Sequence, residues 1–248
     1  MRVVALYDVE GNLPALDAVL SEVDRERPDA IVVGGDMVTG PMPSETLTRL
    51  RSLGGAHFLR GNADRWVVEV GRGERPEGLP DDIVDALAWA AEQLSDEEIA
   101  FLAGLPQTVT LDVDGLGQVC FCHATPRDDN ELFTERTPNE AVADLLAGTT
   151  EATIVCGHTH MQFDRRILRW RVVNAGSVGV PWDDGRDARW ALLGPDVSFR
   201  RTQLDQRRAD EEIRASGWPG AEELLGDARA REEVLELFEQ AATKQRRR

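Results

Sequence analysis

The segment VVALYDVEGNLPALDAVLSEVDRERPDAIVVGGD, residues 3–36, has the pattern of a βαβ unit. An apolar run at each end predicts a buried strand. The amphipathic stretch between them, with Pro14 near its start, predicts a helix. A short leucine repeat at 44–53 and a third apolar run, AHFLRGN (56–62), extend the pattern. The opening is therefore predicted as βαβαβ, with parallel strands and right-handed crossovers.

Two acidic residues follow the first predicted strand. Asp8 and Glu10 are two positions apart, so a strand that continued through them would point both side chains to one side. Two carboxylates on one side repel each other unless a positive group lies between them. The sequence therefore predicts a cationic group at this strand end.

The rest of the chain predicts further helices and strands. Residues 81–103 are predicted to be helical, with Ser95 and Glu98 spaced as a capping box. The segment 108–124 predicts a hairpin around Asp114-Gly115. From about residue 205 the chain becomes charged and helical. The simplest partition is one domain at 1–204 and a helical C-terminal extension at 205–248, packed on that domain or trailing from it.

Composition restricts the possible partners. The 248-residue chain has a net charge of −17, which disfavours general nucleic-acid binding. No apolar run approaches the roughly 18–20 residues that span a bilayer, and no signal peptide is recognisable, so we expect a cytoplasmic protein without a membrane partner. Its three cysteines are an odd count and favour buried thiols over disulfides or a zinc site. The sequence does not predict the oligomeric state.

Potential metal ligands follow the apolar runs along the chain. Ligands collect at the carboxyl edge of open α/β sheets, so these side chains are expected to meet there. Three of the four histidines belong to the set, which suits two divalent cations that share a ligand. The predicted ligands are Asp8, Glu10, Asp36, Asn62, His123, His158 and His160.

These motifs, in this order, resemble the calcineurin-like metallophosphoesterase superfamily. Its usual pattern is Asp-x-His, Gly-Asp, Gly-Asn-His-Asp/Glu, a further His, and Gly-His-x-His. The segments NAGSVGVP (174–181) and EEIRASGWP (211–219) resemble its small bacterial and archaeal phosphodiesterase branch. The resemblance covers roughly residues 1–220. It implies an α/β fold in which two β-sheets pack face to face with helices outside, a four-layer sandwich.

The resemblance also implies roles for the site residues. Asp8, Glu10, Asp36 and His160 would hold one divalent cation, and Asp36, Asn62, His123 and His158 would hold the other. A hydroxide bridging the cations would attack phosphorus in line. The predicted catalytic residues are Asp36, Asn62, Asp64 and His123. Of these, Asp64 is not a ligand and is expected to orient Asn62 or a ligand histidine. Gly176 and Gly179 do not form a dinucleotide fingerprint, so no organic cofactor is predicted.

Two positions depart from the family pattern. Glu10 replaces the usual His, so that three carboxylates and a hydroxide carry about −4 and balance two divalent cations. A hard oxygen ligand also favours Mn, Mg or Fe over Zn. Ala63 stands where many relatives have a His that orients the phosphate or protonates the leaving group. Its absence favours diesters, or substrates with good leaving groups, over alkyl monoesters.

The sequence thus predicts a metal-dependent phosphoester hydrolase. The favoured activity is that of a phosphodiesterase acting on a small phosphorylated molecule or nucleotide. The alternative is a catalytically weakened metal-binding or scaffold protein on the same fold, suggested by Glu10 and Ala63. Trp66 and Trp182 are equally compatible with lining a cleft and with packing, and His57 is expected to be structural.

Overall fold

The predicted N-terminal βαβαβ unit is present in the computed structural model, which describes residues 1–226 and 230–247. Its strands pair in parallel, as the crossover pattern predicted. The elements are β1 (Val3–Leu6), α1 (Leu13–Glu26), β2 (Ala30–Val33), α2 (Pro43–Arg51) and β3 (Ala56–Phe58).

The remaining elements alternate between helices and strands and end in helices. They are α3 (Asn62–Gly71), α4 (Asp81–Glu92), α5 (Asp96–Ala103), β4 (Thr108–Val113), β5 (Gly117–Cys122), α6 (Asn139–Leu145), β6 (Thr153–Cys156), β7 (Phe163–Ile167), β8 (Trp170–Asn174), β9 (Ala188–Leu193), β10 (Val197–Thr202), α7 (Gln206–Ala215), α8 (Ala221–Leu225) and α9 (Arg231–Gln245).

The strands form two mixed five-stranded sheets. One has the order β10-β9-β1-β2-β3 and the other β4-β5-β6-β8-β7. β1, β2 and β3 are parallel in the first sheet, and β5, β6 and β8 are parallel in the second. Each sheet therefore has an edge at which the carboxyl ends of three parallel strands meet.

Alternate residues of β1 pack on opposite sides of their sheet. Val3 and Ala5 join Phe121 and Val155 of the second sheet in one apolar cluster, so the two sheets pack face to face. Val4 and Leu6 instead join the helical layer around α1. The second sheet carries a separate apolar cluster on its outer face, which includes residues of α6. The predicted four-layer α/β sandwich is confirmed.

One local prediction was wrong in detail. β1 ends at Leu6, before the acidic residues, and the backbone then turns through left-handed conformations instead of continuing as a strand. Residues 81–103 are largely helical, as predicted, and form two helices. The break lies where Ser95 caps α5, and its side chain and that of Glu98 make the predicted reciprocal hydrogen bonds.

The C-terminal region is helical, as its composition indicated. Its helices α7, α8 and α9 lie within the predicted extension, of which residues 227–229 and 248 fall outside the described part of the chain. The partition of the chain at residue 204 stays a prediction. Among the described residues, no helix combines the length and the apolar character needed to cross a membrane.

Candidate metal centre

The predicted ligands lie at the carboxyl ends of parallel strands from both sheets. Asp8 and Glu10 follow β1, Asp36 follows β2, and Asn62 starts the helix after β3. The three histidines follow two strands of the second sheet: His123 comes directly after β5, and His158 and His160 come after β6. The face-to-face packing brings these two edges together, so ligands separated by up to 152 residues, as Asp8 and His160 are, share one site.

Four side chains surround one point of this site. His123 Nε2 lies 3.2 Å from Asp36 Oδ2 and 2.9 Å from the Asn62 amide. One nitrogen each of His123 and His158 and one oxygen of Asp36 all lie within 4.8 Å of one another. These three residues form a cluster suited to a metal ion, and all of them were predicted from the sequence.

The orientation of the Asn62 amide depends on what lies between the histidines. The amide atom that faces them is 2.9 Å from both His123 Nε2 and His158 Nδ1 and 3.2 Å from the Asp129 carbonyl oxygen. Without a cation, a neutral His123 ring favours the amide NH₂ at this place, whereas a His123 imidazolium would donate to the amide oxygen. With a divalent cation there, the oxygen would face it, because amide oxygens are metal ligands and protonated amide nitrogens are not.

A second group of side chains lies beside the first. His160 Nε2 is 3.5 Å from Asp8 Oδ1 and 3.6 Å from Glu10 Oε1. Asp8 Oδ1 is also 3.8 Å from His123 Nε2, which connects the two groups. All seven predicted ligand side chains thus lie close together, and their division between two cation positions stays a prediction.

The backbone at the candidate ligands is unusual. Five of the seven have φ between +50° and +67°, a region that residues other than Gly rarely adopt: Asp8, Glu10, Asp36, His158 and His160. Such conformations cost of order 1–3 kcal/mol each and persist where the surrounding structure enforces them, often at functional sites. This concentration of strain is independent support for a functional centre at these residues.

Glycines in the Gly-Asn and Gly-His motifs provide space for the carboxylates. A Cβ at Gly61 would lie 2.0 Å from Asp36 Oδ1, and a Cβ at Gly157 would lie 2.5 Å from Asp8 Oδ2. Any larger residue at either position would displace a candidate ligand. The motif spacing therefore has a steric reason in addition to a chemical one.

The loop after β8 holds the turn at Asp8. Ser177 Oγ donates to the Asp8 carbonyl oxygen (2.8 Å), as does the backbone N–H of Gly179 (2.9 Å). The Asn174 side chain donates to the Gly157 carbonyl oxygen (2.6 Å). The NAGSVG segment thus supports the strained turns on both sides of the site.

Asp64 contacts the backbone on two sides of the site. Its carboxylate accepts hydrogen bonds from the backbone N–H groups of Asp36 (2.8 Å), Met37 (2.9 Å) and Gly61 (3.0 Å). No hydrogen bond joins Asp64 to the side chain of Asn62 or of a histidine in the described structure, and its orienting role toward them stays a prediction. Asp64 fixes the turn that carries Asp36 and ties it to the start of α3.

Backbone carbonyls orient two of the histidine rings. His123 Nδ1 lies 2.8 Å from the Gly34 oxygen, and His160 Nδ1 lies 2.7 Å from the Val180 oxygen. A nitrogen that faces a carbonyl must carry the proton, so in the neutral ring Nε2 presents its lone pair to the carboxylates. This is the arrangement in which histidines bind metals.

Burial makes several acids of the site hard to ionise. It raises the pKa of Asp8 to about 6, although His160 and His123 oppose the shift. Burial, followed by the Asp36 and Asp8 charges, raises the pKa of Glu10 well above its usual range. Burial and the Asp36 charge raise the pKa of Asp64 to about 7. Asp36 differs: burial opposes its ionisation, but His123 lowers its pKa to about 2.

The pKa values of two histidines are also shifted in opposite directions. Burial lowers the pKa of His123, but the Asp36 and Asp8 carboxylates raise it to about 10. Burial and the His123 charge lower the pKa of His158 to about 3. Without metal, the His123 imidazolium is thus a positive group among the acids. His158 remains neutral, and its Nε2 has no hydrogen-bond partner among the residues that the structure describes.

These residues fit divalent cations. Lone pairs of carboxylate, amide and imidazole groups converge in a buried, acid-rich space, where they repel one another unless a cation or protons separate them. The three cysteines are buried and free, and none belongs to the cluster. The donor set is thus oxygen and nitrogen, without sulfur.

Metal binding is expected to release protons and to strengthen as pH rises. A cation must displace the proton of His123, whose pKa is about 10, and the protons that remain on Asp8 and Glu10 near neutral pH. Mn²⁺ is titrated calorimetrically into metal-free protein at pH 7, once in PIPES and once in HEPES. The binding enthalpies in the two buffers should differ by the amount that corresponds to release of about one proton or more. Metal binding without proton release would contradict this, and the variant His57→Asn should leave the release unchanged.

Three other residues discussed in the sequence analysis differ in their distance from the site. His57 is exposed on the edge strand β3. The backbone N–H of Ala63 donates to Asp36 Oδ1 (2.8 Å), and its methyl group cannot transfer protons. The Trp182 ring stacks on His160, with centroids 6.2 Å apart and planes 14° apart. Trp182 therefore borders the site.

Sequence reasoning missed Asp129. It is buried and accepts hydrogen bonds from Arg60 and Arg65, and its backbone oxygen faces the Asn62 amide. Asp129 follows His123 by six residues, so its loop position gave no periodic signal. Its contacts depend on the packing of this loop against α3, which no local sequence pattern indicates.

The fold and the site define a class of protein that sequence comparison confirms. The profile of the calcineurin-like phosphoesterase superfamily domain matches residues 1–194. The chain belongs to this superfamily and is a phosphoric ester hydrolase of a class that uses divalent metals.

Individual relatives are similar along nearly their whole length. An uncharacterized protein of Methanocaldococcus jannaschii is 26% identical over 250 residues, which cover 90% of this chain and 98% of that protein. A metallophosphoesterase from Sphaerobacter thermophilus is 26% identical, with a TM-score of 0.72 and coverage of 91% and 96%. A hypothetical protein from Pyrococcus horikoshii OT3 shares the fold at 18% identity, with a TM-score of 0.79 and coverage of 92% and 99%.

Proposed function

We propose that this hydrolase is a phosphodiesterase that uses two divalent cations and acts on a small phosphorylated molecule or nucleotide. The observation that carries the proposal is the convergence of Asp36, Asn62, His123 and His158 on one point, with Asp8, Glu10 and His160 beside it. A weakened scaffold protein would be expected to have lost ligands, whereas here every predicted ligand side chain lies at the site.

Two groups of side chains would hold the two cations. Asp36, Asn62, His123 and His158 would hold one, Asp8, Glu10 and His160 would hold the other, and Asp36 would be shared between them. When bound, such cations lower the pKa of water and neutralise the phosphate oxygens. Asp64 fixes the Asp36 turn, so the shared carboxylate is held before the substrate arrives.

The residues also indicate which phosphoesters are favoured. Ala63 stands beside Asp36, so this position supplies no proton to a departing alkoxide. Leaving groups that depart without protonation, and diesters over alkyl monoesters, fit this arrangement. The net charge of −17 opposes a polyanionic substrate, which favours a small phosphoester. We place the enzyme in the cytoplasm on its sequence alone.

The proposal is tested with purified full-length protein and Mn²⁺. Rates of hydrolysis of bis-p-nitrophenyl phosphate, p-nitrophenyl phosphate and an alkyl phosphate monoester are compared at one pH. We expect the diester to give the largest kcat/KM and the alkyl monoester to give the smallest. Absence of turnover with any divalent metal would overturn the hydrolase assignment, and a preference for the alkyl monoester would overturn the diesterase assignment.

Replacing Glu10 with His is expected to change metal preference. Glu10 contributes a carboxylate near His160 (3.6 Å), and a histidine would replace this hard oxygen with a nitrogen and remove one negative charge. We expect Glu10→His to bind Zn²⁺ more tightly relative to Mn²⁺, by roughly tenfold. Competition dialysis followed by elemental analysis measures the ratio. Glu45→His, on the surface helix α2, is the control, and an unchanged ratio in Glu10→His would contradict a ligand role for Glu10.

A further inference from the structure

The C-terminal helix α9 packs against two loops that leave the metal centre. Val234 and Leu235 of α9 are buried against Met161, which directly follows His160, and the cluster includes Trp182. On the other loop, Glu239 accepts a hydrogen bond from Thr134 (2.5 Å) and Gln245 accepts one from the backbone N–H of Leu132 (2.7 Å). The helix therefore contacts both the segment after His123 and the segment that carries His160.

Arg231, the first residue of α9, makes the most central of these contacts. Its guanidinium donates to Asp183 Oδ1, to Glu135 Oε2 (3.0 Å) and to the Gln162 carbonyl oxygen (3.3 Å). The Asp183 side chain is only 13% exposed, and its other oxygen accepts from the backbone N–H of Gln162 (3.0 Å). One side chain thus joins two separate chain segments, 160–162 and 180–183.

The same two segments set the position of the His160 ring. His160 Nδ1 faces the Val180 carbonyl oxygen at 2.7 Å, and the backbone N–H of Trp182 donates to the His160 carbonyl oxygen (3.2 Å). His160 has a positive φ of 58°, a conformation that its surroundings must enforce. Any separation of the two segments would move Nε2 away from Asp8 and Glu10.

We propose that Arg231 is a positioning residue for the metal centre: by bridging Asp183 and Gln162 it fixes the segment that carries His160. The C-terminal helix is then a structural part of the site, although no residue of α9 touches a candidate ligand atom in the described structure. The proposal rests on the proposed metal-binding role of His160. Under this proposal, α9 affects the metal affinity of one cation position, the one beside Asp8, Glu10 and His160.

The test compares full-length wild type, Arg231→Met and a matched control, Arg136→Met. Arg136 also pairs with α9, through Glu232 (2.5 Å), but both side chains are largely exposed and neither contacts Asp183. Mn²⁺ binding is measured by equilibrium dialysis with elemental analysis, kcat is measured at rising Mn²⁺, and thermal unfolding is measured in chelator.

We expect Arg231→Met to weaken one of two Mn²⁺ sites by roughly 10–100-fold, the range for partners that orient metal ligands. High Mn²⁺ should restore kcat, because all seven ligands remain. Arg136→Met should bind like wild type. If Arg231→Met does not fold, Arg231→Lys replaces it: a single ammonium group cannot span both Asp183 and Gln162, so a smaller loss at the same site is expected.

Two outcomes separate this proposal from the proposed function. If wild type binds two Mn²⁺ ions and Arg231→Met (or, in its place, Arg231→Lys) binds both with affinities within twofold of wild type, the positioning role is overturned and the proposed function stands. If Arg231→Met loses only thermal stability, to the same degree as Arg136→Met, that role is also overturned. If wild type binds no divalent metal, the proposed function fails and this proposal fails with it.

Discussion

Replacing Asp36 with Asn is expected to lower kcat/KM for bis-p-nitrophenyl phosphate by at least about 100-fold. Loss of a partner that merely orients a metal ligand costs 10–100-fold in metal affinity or activity, and Asp36 is the ligand that both cations would share. Asn has nearly the same shape but lacks the charge. Its amide would also place a donor 3.2 Å from His123 Nε2, where a carboxylate oxygen now lies. The rate is measured across a range of Mn²⁺ concentrations.

Asp17→Asn is the matched control for this substitution. Asp17 forms an exposed ion pair with Arg49 (2.9 Å), so the same chemical change there should leave kcat/KM within about twofold of wild type. If Asp36→Asn retained most of its activity at limiting Mn²⁺, the shared-ligand role would be untenable. A purified variant with wild-type circular dichroism excludes misfolding as the cause of lost activity.

Replacing Asp64 with Ala is expected to destabilise the protein by at least about 3 kcal/mol. The substitution leaves three buried backbone N–H groups, those of Asp36, Met37 and Gly61, without their acceptor, and each such loss costs about 1–3 kcal/mol. The free energy of unfolding is measured by urea denaturation in chelator, so that metal binding does not contribute. Metal affinity should fall as well, because the Asp36 turn loses its anchor.

Asp205→Ala provides the comparison for Asp64→Ala. Asp205 caps α7 with one hydrogen bond, to the backbone N–H of Arg208 (3.2 Å), so its loss should cost only about 1 kcal/mol. Asp64→Asn keeps one oxygen and should fall between wild type and Asp64→Ala. If Asp64→Ala were no less stable than Asp205→Ala, Asp64 would not be the structural anchor that its hydrogen bonds indicate.

The sequence predicted the parts of the fold that local pattern determines. Apolar runs marked the strands, and acidic, amide and histidine residues after those runs marked the site, because parallel strands end at a common edge. The capping box at Ser95 and Glu98 was also readable, since its two hydrogen bonds link residues three apart. In each case the signal lay within a few consecutive residues.

Features that depend on tertiary contacts were not predictable in this way. The left-handed backbone at Asp8 is supported by Ser177 and Gly179, which lie about 170 residues away. The anchoring of the Asp36 turn by Asp64 depends on how α3 meets β2. The bridge from Arg231 to Asp183 joins charged residues that, in sequence, resemble any other solvated pair.

Anomalous diffraction at the manganese edge tests the central claim most directly. Crystals of the full-length protein grown with Mn²⁺ should show two peaks in this site. One should lie among Asp36, Asn62, His123 and His158, and the other beside Asp8, Glu10 and His160. The Asn62 amide oxygen, rather than its nitrogen, should face the first peak. The absence of any peak among these seven side chains at millimolar Mn²⁺ would contradict the account.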